Sequence, residues 1–188
     1  DDIDSQHNKH LLTASNKKYV CFLRNYHKTY YRFLVVDLLE KADLLDQGLI
    51  SLRNCGKDFK KNYTNLLTSK KLNHFPTFTS FDKTYHSLTL EKLLEVQLNL
   101  VVESEWRYND ESSLYEVFNI PYATEKTFRN FLHKKPFIII GQPYTLKELK
   151  KQGYKTFHPF IDESYDEIED PIKRITTAIK QLKKFCSK

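Results

Sequence analysis

The chain has 188 residues, 40% of them hydrophobic and 14% aromatic, which is enough for one domain with a real core. Its net charge of +6, from 30 Lys and Arg against 24 Asp and Glu, favours anionic partners. The excess is spread along the chain, which tilts the expectation toward a local phosphate site over a general nucleic-acid groove. Three classes drop out at once. No apolar run approaches the roughly eighteen residues of a spanning helix. With 4 glycines there is no glycine-rich dinucleotide or Walker loop. The three cysteines, Cys21, Cys55 and Cys186, fit neither a zinc spacing nor a disulfide framework, so a reducing compartment is expected, the cytoplasm.

Residues 1–16 are polar and unpatterned and read as a tail or linker, leaving 17–188 as one domain. The opening Asp1-Asp2-Ile3-Asp4 has no signal pattern, and the lack of methionine suggests a sequence that begins inside a longer chain. From Lys17, K-K-Y-V-C-F-L-R-N reads as a strand ending at Arg24-Asn25, followed by a polar turn that contains His27. Residues 30–41 predict an amphipathic helix with Tyr31, Leu34, Leu38 and Ala42 on one face. A connection at 43–48 leads to a short strand at 49–52. Residues 57–71 read as a basic helix, 75–88 as an aromatic-rich loop and 90–95 as a short helix.

The strand 98–102 follows and delivers Glu103 at its carboxyl end. Residues 106–113 read as a loop and 115–120 as an extended piece stopped by Pro121. Thr124 is a natural N-cap for a helix over 125–134. Glu125 suits the positive end of that helix and Lys126 does not, which makes Lys126 a candidate phosphate contact. On local sequence alone it would be a surface lysine. The unbroken apolar run 136–140, ended by Gly141, suits a strand buried on both faces of a parallel sheet. Thr145 then caps a helix over 146–152 that Gly153 closes. A strand at 155–160 and an acidic loop at 162–170 precede a last helix opened by Pro171, with Ile172, Ile175, Ile179, Leu182 and Cys186 along one stripe.

Strand and helix alternate from Lys17 onward, which predicts an α/β fold: a Rossmann-like, doubly wound, mostly parallel sheet with flanking helices. Such sheets bind ligands beyond the carboxyl ends of their strands. The residues expected there are Arg24-Asn25, Glu103-Ser104, Gly141-Gln142 and the start of the Thr124 helix.

Several of these stretches carry a resemblance: V-V-E-S at 101–104, A-T-E-K-T at 123–127, K-P-F-I-I-I-G at 135–141, L-K-K-Q-G-Y-K-T-F at 149–157 and D-E-S-Y-D at 162–166. Together with the earlier K-Y-V-C-F-L-R-N and Arg32, they resemble, in order, the C-terminal donor-binding domain of GT-B glycosyltransferases, especially fucosyltransferase-like proteins of phages and large viruses. The resemblance implies one half of a GT-B architecture acting on a nucleoside-diphosphate sugar, in the host cytoplasm if the protein is viral. It implies Lys126 on the diphosphate, Glu125 on ribose hydroxyls and an arginine on phosphate, Arg32 ranked ahead of Arg24. Asn25 and Thr124 join the donor-binding set. Glu103 either contacts the donor, orients Lys126 or caps a neighbouring helix.

GT-B enzymes generally rely on helix dipoles and basic side chains, so no metal is expected at the acidic loop 162–166, and no cofactor besides the donor substrate. The seven histidines show no i, i+4 pair, and His27 reads as a surface residue. No G-x-S-x-G or Cys/His arrangement marks a nucleophile, and no catalytic residue is assigned. The resemblance implies that the chain is long enough for only one half of a GT-B enzyme and that an N-terminal half-domain outside it would carry the acceptor site; the acceptor itself is not specified. The stretch 57–88 resembles nothing in that family. Two other functions stand beside sugar transfer: a catalytically inactive Rossmann-like module that binds a nucleotide or partner, and, less favoured, a basic nucleic-acid-binding protein motivated by the 57–71 run.

Overall fold

The computed structural model describes residues 17–23, 30–52, 93–103 and 123–188. Strand β1 (Tyr19–Leu23) is followed by helix α1 (Tyr30–Lys41), a 3-10 turn at Leu45–Gln47 and strand β2 (Gly48–Leu52). Strand β3 (Leu98–Val102), helix α2 (Glu125–Leu132) and strand β4 (Phe137–Ile140) form the second unit. Helix α3 (Thr145–Lys151), a 3-10 turn at Ser164–Glu167 and helix α4 (Pro171–Cys186) complete the order. Among the described residues the strands make a four-stranded sheet in the order β2-β1-β3-β4, and every pairing is parallel. The doubly wound α/β reading therefore holds at the level of sheet type and flanking helices.

The order has a physical consequence. The β1-α1-β2 and β3-α2-β4 crossovers travel in opposite directions from the centre, so the usual right-handed crossover puts α1 and α2 on opposite faces. The side chains agree. The register pairs Asn99 with Phe137, and the Asn99 amide reaches Asn130 on α2 at 2.8 Å, so the odd-numbered residues of β3 and β4 face α2. Tyr19 and Cys21, paired with Leu98 and Leu100, face the other way. Burial, with Cys21 and Cys186 of α4 close by, holds the Tyr19 phenol well above its usual range. Helix α4 packs on α1 and β4, which completes that layer. All residues of β3 and β4 are buried, as their continuous apolar runs required.

Four expectations need correction. Helix α1 buries Arg32, Val35, Val36 and Leu39, while Leu34, Leu38 and Ala42 are only partly buried. The core stripe is thus one residue round from the expected face, and it starts with an arginine. Residues 155–160 form no strand: 154–157 are irregular and 158–160 turn. The Glu163 carboxylate holds that segment by accepting from Thr156 Oγ1 at 2.8 Å and Phe157 N at 2.9 Å, and Pro159 offers no N–H for a ladder. The edge of β4 is also already taken. Ile139 N donates to the Tyr165 hydroxyl at 3.2 Å, and the Gly141 carbonyl accepts from Arg174 Nε at 3.0 Å.

Thr145 is the first residue of α3 and not its cap: its hydroxyl donates to the Gln142 carbonyl at 2.8 Å. The buried Asp166 carboxylate does the capping, accepting from Leu146 N and Lys147 N at 3.0 Å each. Gly153 does close α3, at φ 90°, with Gly153 N on Lys150 O and Tyr154 N on Leu149 O, the paired bonds of a Schellman ending. Finally, Ile172 is half exposed and leaves the α4 stripe, whose buried members are Ile175, Ala178, Ile179, Leu182 and Cys186. Pro171 does open α4, behind an Asp170 cap that accepts from Lys173 N at 2.7 Å. The readings at 1–16, 57–71, 75–88, 106–113 and 115–120 lie outside the described residues; of 90–95, residues 93–95 are helical.

Candidate functional site

The two crossovers diverge between β1 and β3, and that divergence makes the carboxyl edge of those strands the expected binding crevice. Glu103 stands there, immediately after β3, and is almost wholly buried. Its Oε1 accepts from Thr124 N at 2.9 Å and from Thr127 Oγ1 at 2.6 Å, and its Oε2 accepts from Thr124 Oγ1 at 2.6 Å. Thr124 Oγ1 in turn accepts from Lys126 N at 3.3 Å, so Thr124 is the N-cap the sequence predicted. One turn further on, Asn130 is clamped between Asn99 and the Lys126 and Thr127 carbonyls. Asn99 and Glu103 lie on one face of β3 and Thr127 and Asn130 on one face of α2, so the two elements are riveted at both positions.

This geometry settles what the misplaced cation is doing locally. Lys126 Nζ lies 3.7 Å from Glu103 Oε2, so the first-turn lysine has a carboxylate partner within the chain. Glu103 both caps α2 and holds Lys126. The start of α2 is therefore no bare helix N-terminus waiting for an anion. The case for an anion rests on Arg32 instead.

Arg32 comes from the first β-α-β unit. As the first residue of the α1 core stripe it is carried over the end of β1 and is 4% exposed, so it is no surface arginine. Its Nε has no hydrogen-bond partner. It lies close to Cys21, whose thiol burial drives well up and the guanidinium draws partly back. Its charge also reaches Lys126. Burial lowers the Lys126 pKa below its ordinary value, Glu103 and Glu125 oppose that, and the Arg32 charge adds to the lowering. Arg32 and Lys126 thus repel one another near the divergence point, while the Glu103 and Glu125 carboxylates act on Lys126 in the opposite sense. An anion placed among them would relieve the Arg32–Lys126 repulsion and offer Nε an acceptor.

Of the expected site residues, Lys126, Thr124 and Glu103 come together, and the Arg32 charge is felt at Lys126; Glu125 is next to them, solvent-exposed in the first turn of α2. Arg24 and Asn25, like Ser104 and His27, lie outside the described residues. Thr127, Asn130 and Asn99 were not anticipated. A polar Asn inside the apolar run L-N-L-V-V was the available signal, since a buried amide demands a partner. Gln142 had been read only as an edge position. It is 7% exposed, and its Oε1 is buried without a partner.

The acidic loop spends its carboxylates within the fold. Asp162 accepts from Ser164 N and Gln181 Nε2, and Glu163 pairs with Lys150 at 2.8 Å besides holding Thr156 and Phe157. Among the described residues no group of three or more His, Cys, Asp or Glu could hold a metal ion, and no helix is long and apolar enough to cross a membrane. No family model matches the chain, and neither the curated proteins nor the solved structures contain a match.

Proposed function

We propose that the chain binds the diphosphate of a nucleoside-diphosphate sugar at the carboxyl edge of β1 and β3 and serves as the donor half of a GT-B glycosyltransferase. The observation that carries this reading is buried Arg32, whose Nε has no partner and whose charge acts on Lys126 beside the divergence point of a parallel sheet. Arg32 offers N–H donors in a planar fork, and Lys126 offers a point charge. In a transfer reaction both would stabilise the negative charge that grows on the departing diphosphate, and their burial makes that charge–charge stabilisation larger than in water. The riveted start of α2 keeps Lys126 in place before the donor arrives, so little reorganisation is needed. Exposed Glu125 would accept from a vicinal diol such as the ribose.

Titration of GDP, UDP and their sugar conjugates into the wild type, Lys126→Ala and Arg32→Met tests the reading. The expected result is binding of at least one nucleotide, weakened about tenfold or more by either substitution. Equal affinity in all three proteins, or no binding to the wild type, overturns it. Binding without sugar transfer or donor hydrolysis by the longest natural chain would leave a nucleotide-binding module instead of an enzyme.

A further inference from the structure

Two buried side-chain atoms among the described residues lack a hydrogen-bond partner, Arg32 Nε and Gln142 Oε1, and both stand at the carboxyl edge of the sheet. Gln142 follows β4 by two residues. The register aligns Ile140 with Val102, so Gly141 falls opposite Glu103; a Cβ added to Gly141 would lie 3.6 Å from the Glu103 Cβ and Cγ. The alternation that turns Ile138 and Ile140 away from α2 turns Gln142 away from it as well, onto the α1 side where Arg32 lies.

The Gln142 amide has no evident structural duty. The turn it belongs to is held by other groups: its own carbonyl accepts from Thr145 Oγ1, Tyr144 N donates to Asp166 O at 2.7 Å, and the Asp166 carboxylate caps α3. A buried amide oxygen left unpaired destabilises the fold, so the Gln142 Oε1 needs another reason to be there. We propose that Gln142 is a second ligand contact, binding a hydroxyl of the uncharged, sugar-bearing end of the molecule whose anionic end sits on Arg32 and Lys126. This inference rests on the donor reading above.

The spacing fits such a ligand. Strands β1 and β4 are two places apart in the sheet, so their ends are separated by about 10 Å. A phosphate held over β1 and β3 therefore leaves the neighbouring group of a sugar nucleotide within reach of β4. The chemistry fits as well. Turning the amide over would exchange which of its atoms is buried but not the need for a partner, and a hydroxyl satisfies either because it both donates and accepts. Loss of a hydrogen bond that a site is built to make is a strong discriminator between ligands with and without the group.

The test uses the whole chain, Gln142→Met and Gln142→Leu, with calorimetric titration of inorganic pyrophosphate, GDP, UDP, GDP-mannose and UDP-glucose and thermal melting without ligand. Expected are melting temperatures at or above that of the wild type, because an apolar group replaces an unpaired amide. Pyrophosphate affinity should stay within about twofold, while affinity for the preferred sugar nucleotide falls about tenfold. Unchanged sugar-nucleotide affinity overturns the assignment, and so does a clear fall in melting temperature or failure of both variants to fold, since the amide would then be structural. If the wild type binds no nucleotide, the donor reading fails and takes this inference with it. If the wild type binds and Lys126→Ala and Arg32→Met lose affinity while the Gln142 variants do not, this inference alone is wrong.

Discussion

At the scale of the residue, the site turns on how one lysine is charged. Burial lowers the Lys126 pKa from 10.5, and the Arg32 charge pushes the same way against Glu103. The sign follows directly. A lysine whose folded pKa lies below its unfolded value costs stability while charged, and that cost is relieved as pH rises through the lowered pKa toward 10.5. Ligand binding has the opposite dependence. A bound diphosphate favours the ammonium, so affinity is highest below the lowered pKa and falls as pH rises through it. Titrating methyl diphosphate, which has no ionisation of its own in the range, between about pH 7 and 10.5 should show this fall in the wild type, at a lower pH than the ordinary lysine value of about 10.4. Lys126→Arg should bind with a flat profile over the same range, because guanidinium does not titrate there. A flat profile in the wild type would remove Lys126 from the phosphate contact.

At the scale of the element, two devices set where the site can be. The first is the polar seam between β3 and α2, in which Glu103 takes Thr124 and Thr127 while Asn99 takes Asn130. A helix of eight residues is too short to be stable by propensity alone, so its orientation comes from these bonds and from packing. The second is the blocked edge of β4. Tyr165 and Arg174 occupy the groups that a fifth strand would use, and they do so from the 3-10 turn and α4. A covered edge also guards against pairing with another chain. Tyr165→Phe keeps the ring and removes the acceptor for Ile139 N. It should cost about 1–3 kcal/mol, the penalty for a buried unpaired amide group, measured by urea denaturation. A cost below about 0.5 kcal/mol would mean the hydroxyl does not hold that edge.

At the scale of the whole molecule, the +6 charge is compatible with either a diffuse polyanion surface or a built site. The two differ in their response to salt. Phosphate-driven nucleic-acid binding weakens steeply with ionic strength, whereas contacts to buried cations are screened much less. A nucleotide at about 100 times its Kd should stabilise the fold by about 2.7 kcal/mol, which for a chain of this length raises Tm by roughly 5–11 °C. Scanning calorimetry in about 0.1 M and 0.5 M salt, with nucleotide held at that excess, should show the increase in both. An increase present only at low salt would favour a diffuse electrostatic surface over the Arg32–Lys126 site.

Much of this was legible without coordinates where the cause is local. The run F-I-I-I cannot alternate, so it had to be covered on both faces; Thr124 had to cap, and Gly153 had to turn in the left-handed region. Lys126 announced itself by standing at the wrong end of a helix dipole. Other features depend on groups far apart in the chain. The tilt of the α1 core stripe decides that Arg32 is buried over the sheet edge, and helical periodicity alone favoured a face one residue away. An alternative partner, the Glu163 carboxylate, together with an edge already filled, keeps 155–160 out of the sheet. The sequence by itself determined where most strands and helices lie and how several of them end, because those follow from period and capping over a few residues. Only the tertiary structure decided that Arg32, Glu103, Lys126 and Gln142 share one edge, because strand order and register are set by long-range packing.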